Sequence, residues 1–316
     1  MTNPRQKANG ASHDPLQNAT SSQNSGRKLP NKRGPVMRFL TTPKGYVFCA
    51  LLLLMFVASI HKTDAHGIVN VGIAVVTALL IDLLVALIQG YKRYFSDGGL
   101  VTGLIVGLIL DSAAAWPMIT LVTGIAVLSK HFLKVGRKPI LNPAAFGLLV
   151  AVYIFHIGES WWGDLADLSG WFALLLLACG YIIVSRINKF PLVFSFLAVY
   201  FGLLLTAALL HIGNAAYSPG DALRDPIVNS ALFMAFFMLT DPPTSPAKYG
   251  HQVVFGALTA VVSTAIYIAF GGLTYLLVGL LVANVAKALF IRSGDAKKRA
   301  KSSLGNSRNR VATSRN

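Results

Sequence analysis

From Gly45 to Ile291 the chain is built from ten apolar segments, and several are too short to cross a membrane alone. They run Gly45–Ile60, Ile68–Gln89, Gly98–Leu110, Trp116–Ser129, Pro143–His156, Trp171–Ser185, Phe190–His211, Pro226–Thr240, Val253–Phe270 and Leu273–Ile291. A helix needs about 20 residues to cross ~30 Å of hydrocarbon. The third, fifth and eighth segments fall short of that. Only 13% of the residues are charged and 54% are hydrophobic, against about 25% and about 45–50% in soluble domains. The chain therefore reads as an all-α membrane protein with one membrane domain over residues 45–292.

The net charge of +16 lies almost wholly on one side of that domain. With the N-terminus in the cytoplasm, 25 of the 28 Lys and Arg fall in inner loops and tails. Only Lys62 and Arg224 fall outside, and Lys287 lies within the last segment. This is the positive-inside pattern. It predicts ten spans in a bacterial inner membrane, with both termini cytoplasmic. Residues 1–44 and 293–316 are polar and basic without an apolar run, so they predict disordered cytoplasmic tails. Basic tails of this kind touch anionic lipid, and the charge needs no nucleic-acid partner. Cys49 and Cys179 sit inside apolar runs and read as buried small residues, not as a disulfide or metal site.

Ten spans divide into two halves of five, about 45–156 and 171–292. An odd number per half turns the second half over, which predicts inverted repeats. The third segment ends in "LDSAAAWP" and the eighth in "LTDPPTSP", an Asp followed by small residues and a Pro in each. Broken helices survive in a bilayer only beside protein or a water-filled cavity. In "GRKPILNPAAFGLL" Asn142 suits an N-cap and Pro143 the first helical position. The amides from Ala144 onward then face the cytoplasmic side and suit an anion or a carbonyl edge. In the second break Asp241, Thr244 and Ser245 offer a carboxylate and two hydroxyls after Thr240. One break from each half predicts a ligand site where the halves meet; short loops with turn chemistry remain the alternative.

These two motifs resemble the RnfD/NqrB family, membrane components of the Rnf electron-transport complex and of the sodium-pumping NADH:quinone oxidoreductase. The family pattern is an Asn-Pro-Ala-Ala-x-Gly heading a half-helix and a later Thr-Asp-Pro-x-Thr-Ser-Pro, here Asn142–Gly147 and Thr240–Pro246. "SDGGLVTGLIVGLIL", Trp116-Pro117 and Asn284 also look like family positions, so the resemblance runs over about 45–292. It implies a ten-helix inverted-repeat fold, a flavin in the membrane part, and electron transfer coupled to ion movement. Asn142, Pro143, Ala144, Thr240, Asp241, Thr244 and Ser245 are then the flavin-site candidates. Members of the family commonly carry flavin mononucleotide on a Thr of a Gly-rich loop after the fifth helix. Here that loop, "HIGESWWGDLADLSGWF", has no Thr. The expectation is a stand-alone or divergent member holding non-covalent flavin mononucleotide or riboflavin, or none. Its partners are then membrane lipid and other electron-transport subunits, among them a separate flavin-carrying protein. Trp161 and Trp162 read as interfacial anchors, or as a stacking surface for such a partner.

Asp82 lies inside "VVTALLIDLLVALIQ", where a carboxylate is costly and faces a cavity or a partner; it is the candidate for proton or sodium coupling. Lys287, near an inner helix end, reads as snorkelling. No histidine lies deep in an apolar run, so neither haem nor a metal site is read. The chain has no dinucleotide fingerprint, so it is at most one component of an oxidoreductase or ion-translocating complex, without a complete catalytic site of its own. The alternative from another class is a urea-like or vitamin-like solute transporter on the same inverted-repeat plan.

Overall fold

The computed structural model describes residues 35–61, 66–90, 97–136, 138–213 and 223–293. Each of the ten apolar segments is a helix. After a short α1 (Pro35–Leu40) come α2 (Pro43–His61), α3 (His66–Ile88), α4 (Asp97–Ile109), α5 (Trp116–Phe132) and α6 (Pro143–Tyr153). The second half holds α7 (Ala173–Ile187), α8 (Phe190–Leu209), α9 (Asp225–Phe233), α10 (Tyr249–Phe270) and α11 (Tyr275–Ser293). A tight turn, Gly170–Phe172, leads into α7, and a wide turn, Met234–Met238, extends α9. A two-residue ribbon, β1 (Lys134–Val135) against β2 (Lys138–Pro139), joins α5 to α6. Residues 1–34 and 294–316, which hold most of the two expected tails, lie outside the described residues, and from Pro35 the chain is already helical.

Among the described residues six helices are long and apolar enough to cross a membrane, and the protein is an all-α, multi-pass membrane protein. Their outward side chains are large and apolar, Ile88, Phe194, Phe270 and Phe290 among them, as a lipid-facing surface requires. Cys49, expected to be buried, lies on such an exposed face, whereas Cys179 is buried. The short helices go inside. In α4 every residue from Gly99 to Ile109 except Val101 is buried. At 1.5 Å per residue α4 spans about 20 Å, so one of its ends cannot reach a membrane surface. Its lack of side-chain bulk lets it sink. A Cβ on Gly103 would lie 2.8 Å from Val75 Cα, and one on Gly107 2.7 Å from Val71 Cα, so α4 meets α3 backbone to backbone.

The free carbonyls at the end of α4 are covered by the connection after α6. The Trp162 indole N–H donates to Gly107 O (2.9 Å), and the Ser160 and Trp161 amides both donate to Ile109 O (2.9 and 3.1 Å). Both tryptophans are therefore inside the protein, 1% and 4% exposed. The expectation of interfacial or partner-facing rings fails because a helix ending in apolar surroundings needs donors more than the membrane surface needs anchors.

Glu159 in the same connection has one carboxylate oxygen enclosed without a hydrogen-bond partner. Burial pushes its pKa up to about 7; the neighbouring Trp161 indole pulls the other way but stands outside hydrogen-bonding geometry. The folded state then holds this proton more tightly than the unfolded chain, so stability falls as pH rises from 4.5 to about 7. Glu159→Gln should match the wild type in thermal unfolding near about pH 5 and exceed it near about pH 8, by ~1–3 kcal/mol. Equal stability at both pH values would mean that the carboxyl reaches water.

Candidate functional site

The two helix breaks meet. Asn142 caps α6 through its side-chain oxygen, which accepts from the Ala145 N–H (3.1 Å). Its backbone N–H donates to Asn284 Oδ1 of α11 (2.8 Å), and its Nδ2 donates to Met238 O at the end of the wide turn of α9 (3.2 Å). Asn284 reaches on with Nδ2 to Thr244 O (3.3 Å). The α6 head, the α9 end and α11 are thus tied by two buried asparagines. Pro143 has no N–H and Asn142 takes that of Ala145, so this turn leaves the Ala144 N–H as its open donor.

The turn after α9 is built on Asp241. Asp241 O accepts the amides of Thr244 and Ser245 (3.2 and 3.0 Å), and its carboxylate accepts the Thr244 hydroxyl (3.0 Å). The Ser245 hydroxyl donates to Asp241 O (2.7 Å) and accepts from Lys189 Nζ (2.8 Å). Lys189 also donates to Pro246 O, and Lys287 Nζ to Pro243 O (3.1 Å). Lys287 therefore braces this turn instead of snorkelling freely. Lys189, placed by the sequence in an inner loop, is 5% exposed, and burial, with Lys287 nearby, pushes its ammonium down to about 8. Crowding by protein raises the Asp241 carboxyl, while the Thr244 hydroxyl and the nearby lysines pull it back.

A cavity of about 660 Å³ opens where these parts converge. Asn142, Pro143 and Ala144 line it from the α6 head, and Thr240 and Asp241 from the α9 end. The α4 head (Asp97, Gly98, Val101), Lys44, Phe237, Lys130, His131 and the ribbon complete it. Thr244 and Ser245 do not line it; their hydroxyls hold the turn. Asp82 stands behind the wall, 4% exposed, with its oxygens 2.5 Å from Lys130 Nζ and 2.8 Å from His131 Nε2. It presses on the head of α4, where a Cβ on Gly99 would collide with Asp82 Oδ2. Sequence reasoning missed Lys130 and His131 as the partners of Asp82. The available signal was position: Asp82 lies six residues from the end of α3, and Lys130 two from the end of α5.

Part of the chain matches a known family. Residues 155–294 match the NQR2, RnfD, RnfE family. The match takes in α7 to α11, the Asp241 turn, Lys189, Asn284 and Lys287, and bears out the resemblance over that stretch. Asn142 and Asp82 lie in the half outside it. No curated protein matches the chain.

Breaking a buried ion pair by removing one partner strands the other. Asp82→Ala should lower stability by about 3 kcal/mol, and adding Lys130→Met should recover a large part of the loss. Thermal unfolding of the two single variants and the double variant measures this; additive losses would show that the pair does not act as a unit.

Proposed function

We propose that the chain is the membrane component of a flavin-based electron-transport system of the Rnf/Nqr type, with the flavin held non-covalently in the cavity between the two breaks. The observation that carries this reading is the convergence of Asn142 and Asp241, one from each half, on a single cavity beside a family-matched turn. The volume falls within the ~300–1,000 Å³ of small-molecule sites. Phe237 and the side chains of Val47, Val101, Ile105 and Ile187 give apolar walls for a flat ring system. Ala144 N–H and the Asp241 carboxylate offer one donor and one acceptor at its edge. A bound flavin would supply one- and two-electron carriage that no side chain here provides. The connection after α6 supports the non-covalent reading: it has no Thr and is packed against α4.

Asp82 is the coupling candidate because the side chains that hold it, Lys130 and His131, also line the cavity. The inverted-repeat plan has support from packing. The second helix of each half packs on the fourth, α3 on α5 and α8 on α10. The fifth helices meet the fourth through a glycine four residues past their start: Gly147 against Val122 and Ala126, Gly279 against Thr259 and Ser263. Such a plan, with the Lys and Arg distribution, supports a reading with both termini on the cytoplasmic side of a bacterial inner membrane.

The test is the absorption spectrum of the full chain purified in detergent, repeated on the supernatant after acid precipitation. The expected result is a flavin spectrum whose colour passes to the supernatant. Val101→Trp, which fills the cavity from a wall position, should purify as a folded but colourless protein. A colourless wild type would favour the solute transporter, to be tested by uptake into liposomes; flavin retained at full stoichiometry in Val101→Trp would move the site elsewhere.

A further inference from the structure

We propose that the chain holds one anionic phospholipid, of the phosphatidylglycerol kind, by its phosphodiester in a second cavity at the head of α9. This cavity measures about 590 Å³. It is lined by Arg224 just before α9, by Tyr267 and Phe270 at the end of α10, and by residues 271–273, which lead into α11. Phe237, Thr240 and Asp241, at the other end of α9, line the first cavity. With its wide turn α9 is about 20 Å long. The two sites are therefore separate, and this one does not rest on the flavin reading. In the Lys and Arg distribution Arg224 is one of two cations, out of 28, that fall away from the basic side.

The lining carries donors without acceptors. The hydroxyl of Tyr267, a side chain 7% exposed, makes no hydrogen bond among the described residues, and neither do the N–H groups of Gly272 and Leu273. Arg224 forms no ion pair among them. Its neighbour Asp225 turns toward the link before α7, where a Cβ on Gly170 would lie 3.7 Å from Asp225 Oδ1. Donors left without partners at a partly enclosed site favour an acceptor-rich ligand. A phosphodiester supplies both charge and acceptor oxygens, and a guanidinium takes two of them in a fork. Among the described residues no carboxylate lines the cavity. The ammonium of an ethanolamine or choline headgroup would find no partner there, so a headgroup without a cation fits. The apolar wall decides between a lipid and free phosphate. Phe270 is 82% exposed and lines the cavity with Ile227 and Leu273. An acyl chain covers this surface, whereas inorganic phosphate leaves it bare. Basic pockets between membrane helices suit such headgroups.

The experiment uses the full chain purified in detergent and washed at high salt, which strips lipid held only by exposed charge. Native mass spectrometry counts the lipid that stays. Thermal unfolding is then followed with added phosphatidylglycerol, phosphatidylethanolamine or inorganic phosphate. The expected result is one phosphatidylglycerol retained per chain and a rise in Tm with that lipid alone. Arg224 is exposed, so Arg224→Gln leaves the core intact. It should weaken retention at least about tenfold and remove the rise in Tm, with unfolding in lipid-free detergent unchanged. Tyr267→Phe, which takes away only the hydroxyl, should weaken retention in the same direction. Arg224→Lys should recover part of it, since an ammonium keeps the charge and loses the fork. Equal retention by the wild type and Arg224→Gln places the lipid elsewhere and overturns the site. Phosphatidylethanolamine held as tightly as phosphatidylglycerol overturns the headgroup. Displacement of the lipid by inorganic phosphate gives the site to a free anion and overturns the assignment to a lipid.

Discussion

Backbone groups left over where a helix stops in apolar surroundings are the constraint on which this structure depends. Each such N–H or C=O must find a partner inside the protein. Two short helices, α4 and α9, end this way, and the rest of the chain is arranged to answer them. The connection after α6 supplies two amides and an indole N–H to Gly107 and Ile109 of α4. Asn142, Asn284, Lys189 and Lys287 supply the donors for Met238, Pro243, Thr244 and Pro246 at the end of α9. The difference between the two answers separates scaffold from site. Trp161 and Trp162 fill the space at the end of α4, whereas asparagines and lysines frame an open cavity at the end of α9.

The segments are legible in the sequence because a bilayer leaves little choice: an apolar run of 13 or more residues must be a helix. All ten segments are helices, with ends shifted by a few residues, and the shortness of the third, fifth and eighth is visible in their length. Asn142 as a cap and the meeting of the two breaks are also legible, because cap and proline chemistry is local. What escapes is side-chain reach. Lys189 and Lys287 look like inner-end cations in sequence, yet both fold back to carbonyls of the Asp241 turn. Thr244 and Ser245 look like ligand hydroxyls, yet a turn headed by Asp241 uses them first. Trp161 and Trp162 mislead for the same reason: sequence shows a polar connection with aromatic rings but not the open helix end beneath it. Long-range hydrogen-bond demand has no local signature.

The asparagine bridge has a consequence for the two halves. Asn142 belongs to the first and Asn284 to the second, and each also holds the α9 end, through Met238 and Thr244. Neither half can shift at this point without breaking buried hydrogen bonds, at about 1–3 kcal/mol for each group left unpaired. The cavity is thus fixed at its α6–α9 wall. Its opposite wall is held differently, by the ion pair of Asp82 with Lys130, by His131 and by the small ribbon. The first wall is held by the asparagines together with Lys189 and Lys287 on the Asp241 turn, and the second by an ion pair.

Charge therefore faces the cavity from both walls, Asp241 on one and Lys130 on the other. Lys130 is attracted by Asp82 on one side and, more weakly, by Asp241 on the other, so its ammonium sits in a divided field. Lys130 and His131 line the cavity and hold Asp82 at once, so this wall joins a buried carboxylate to the open space of the site.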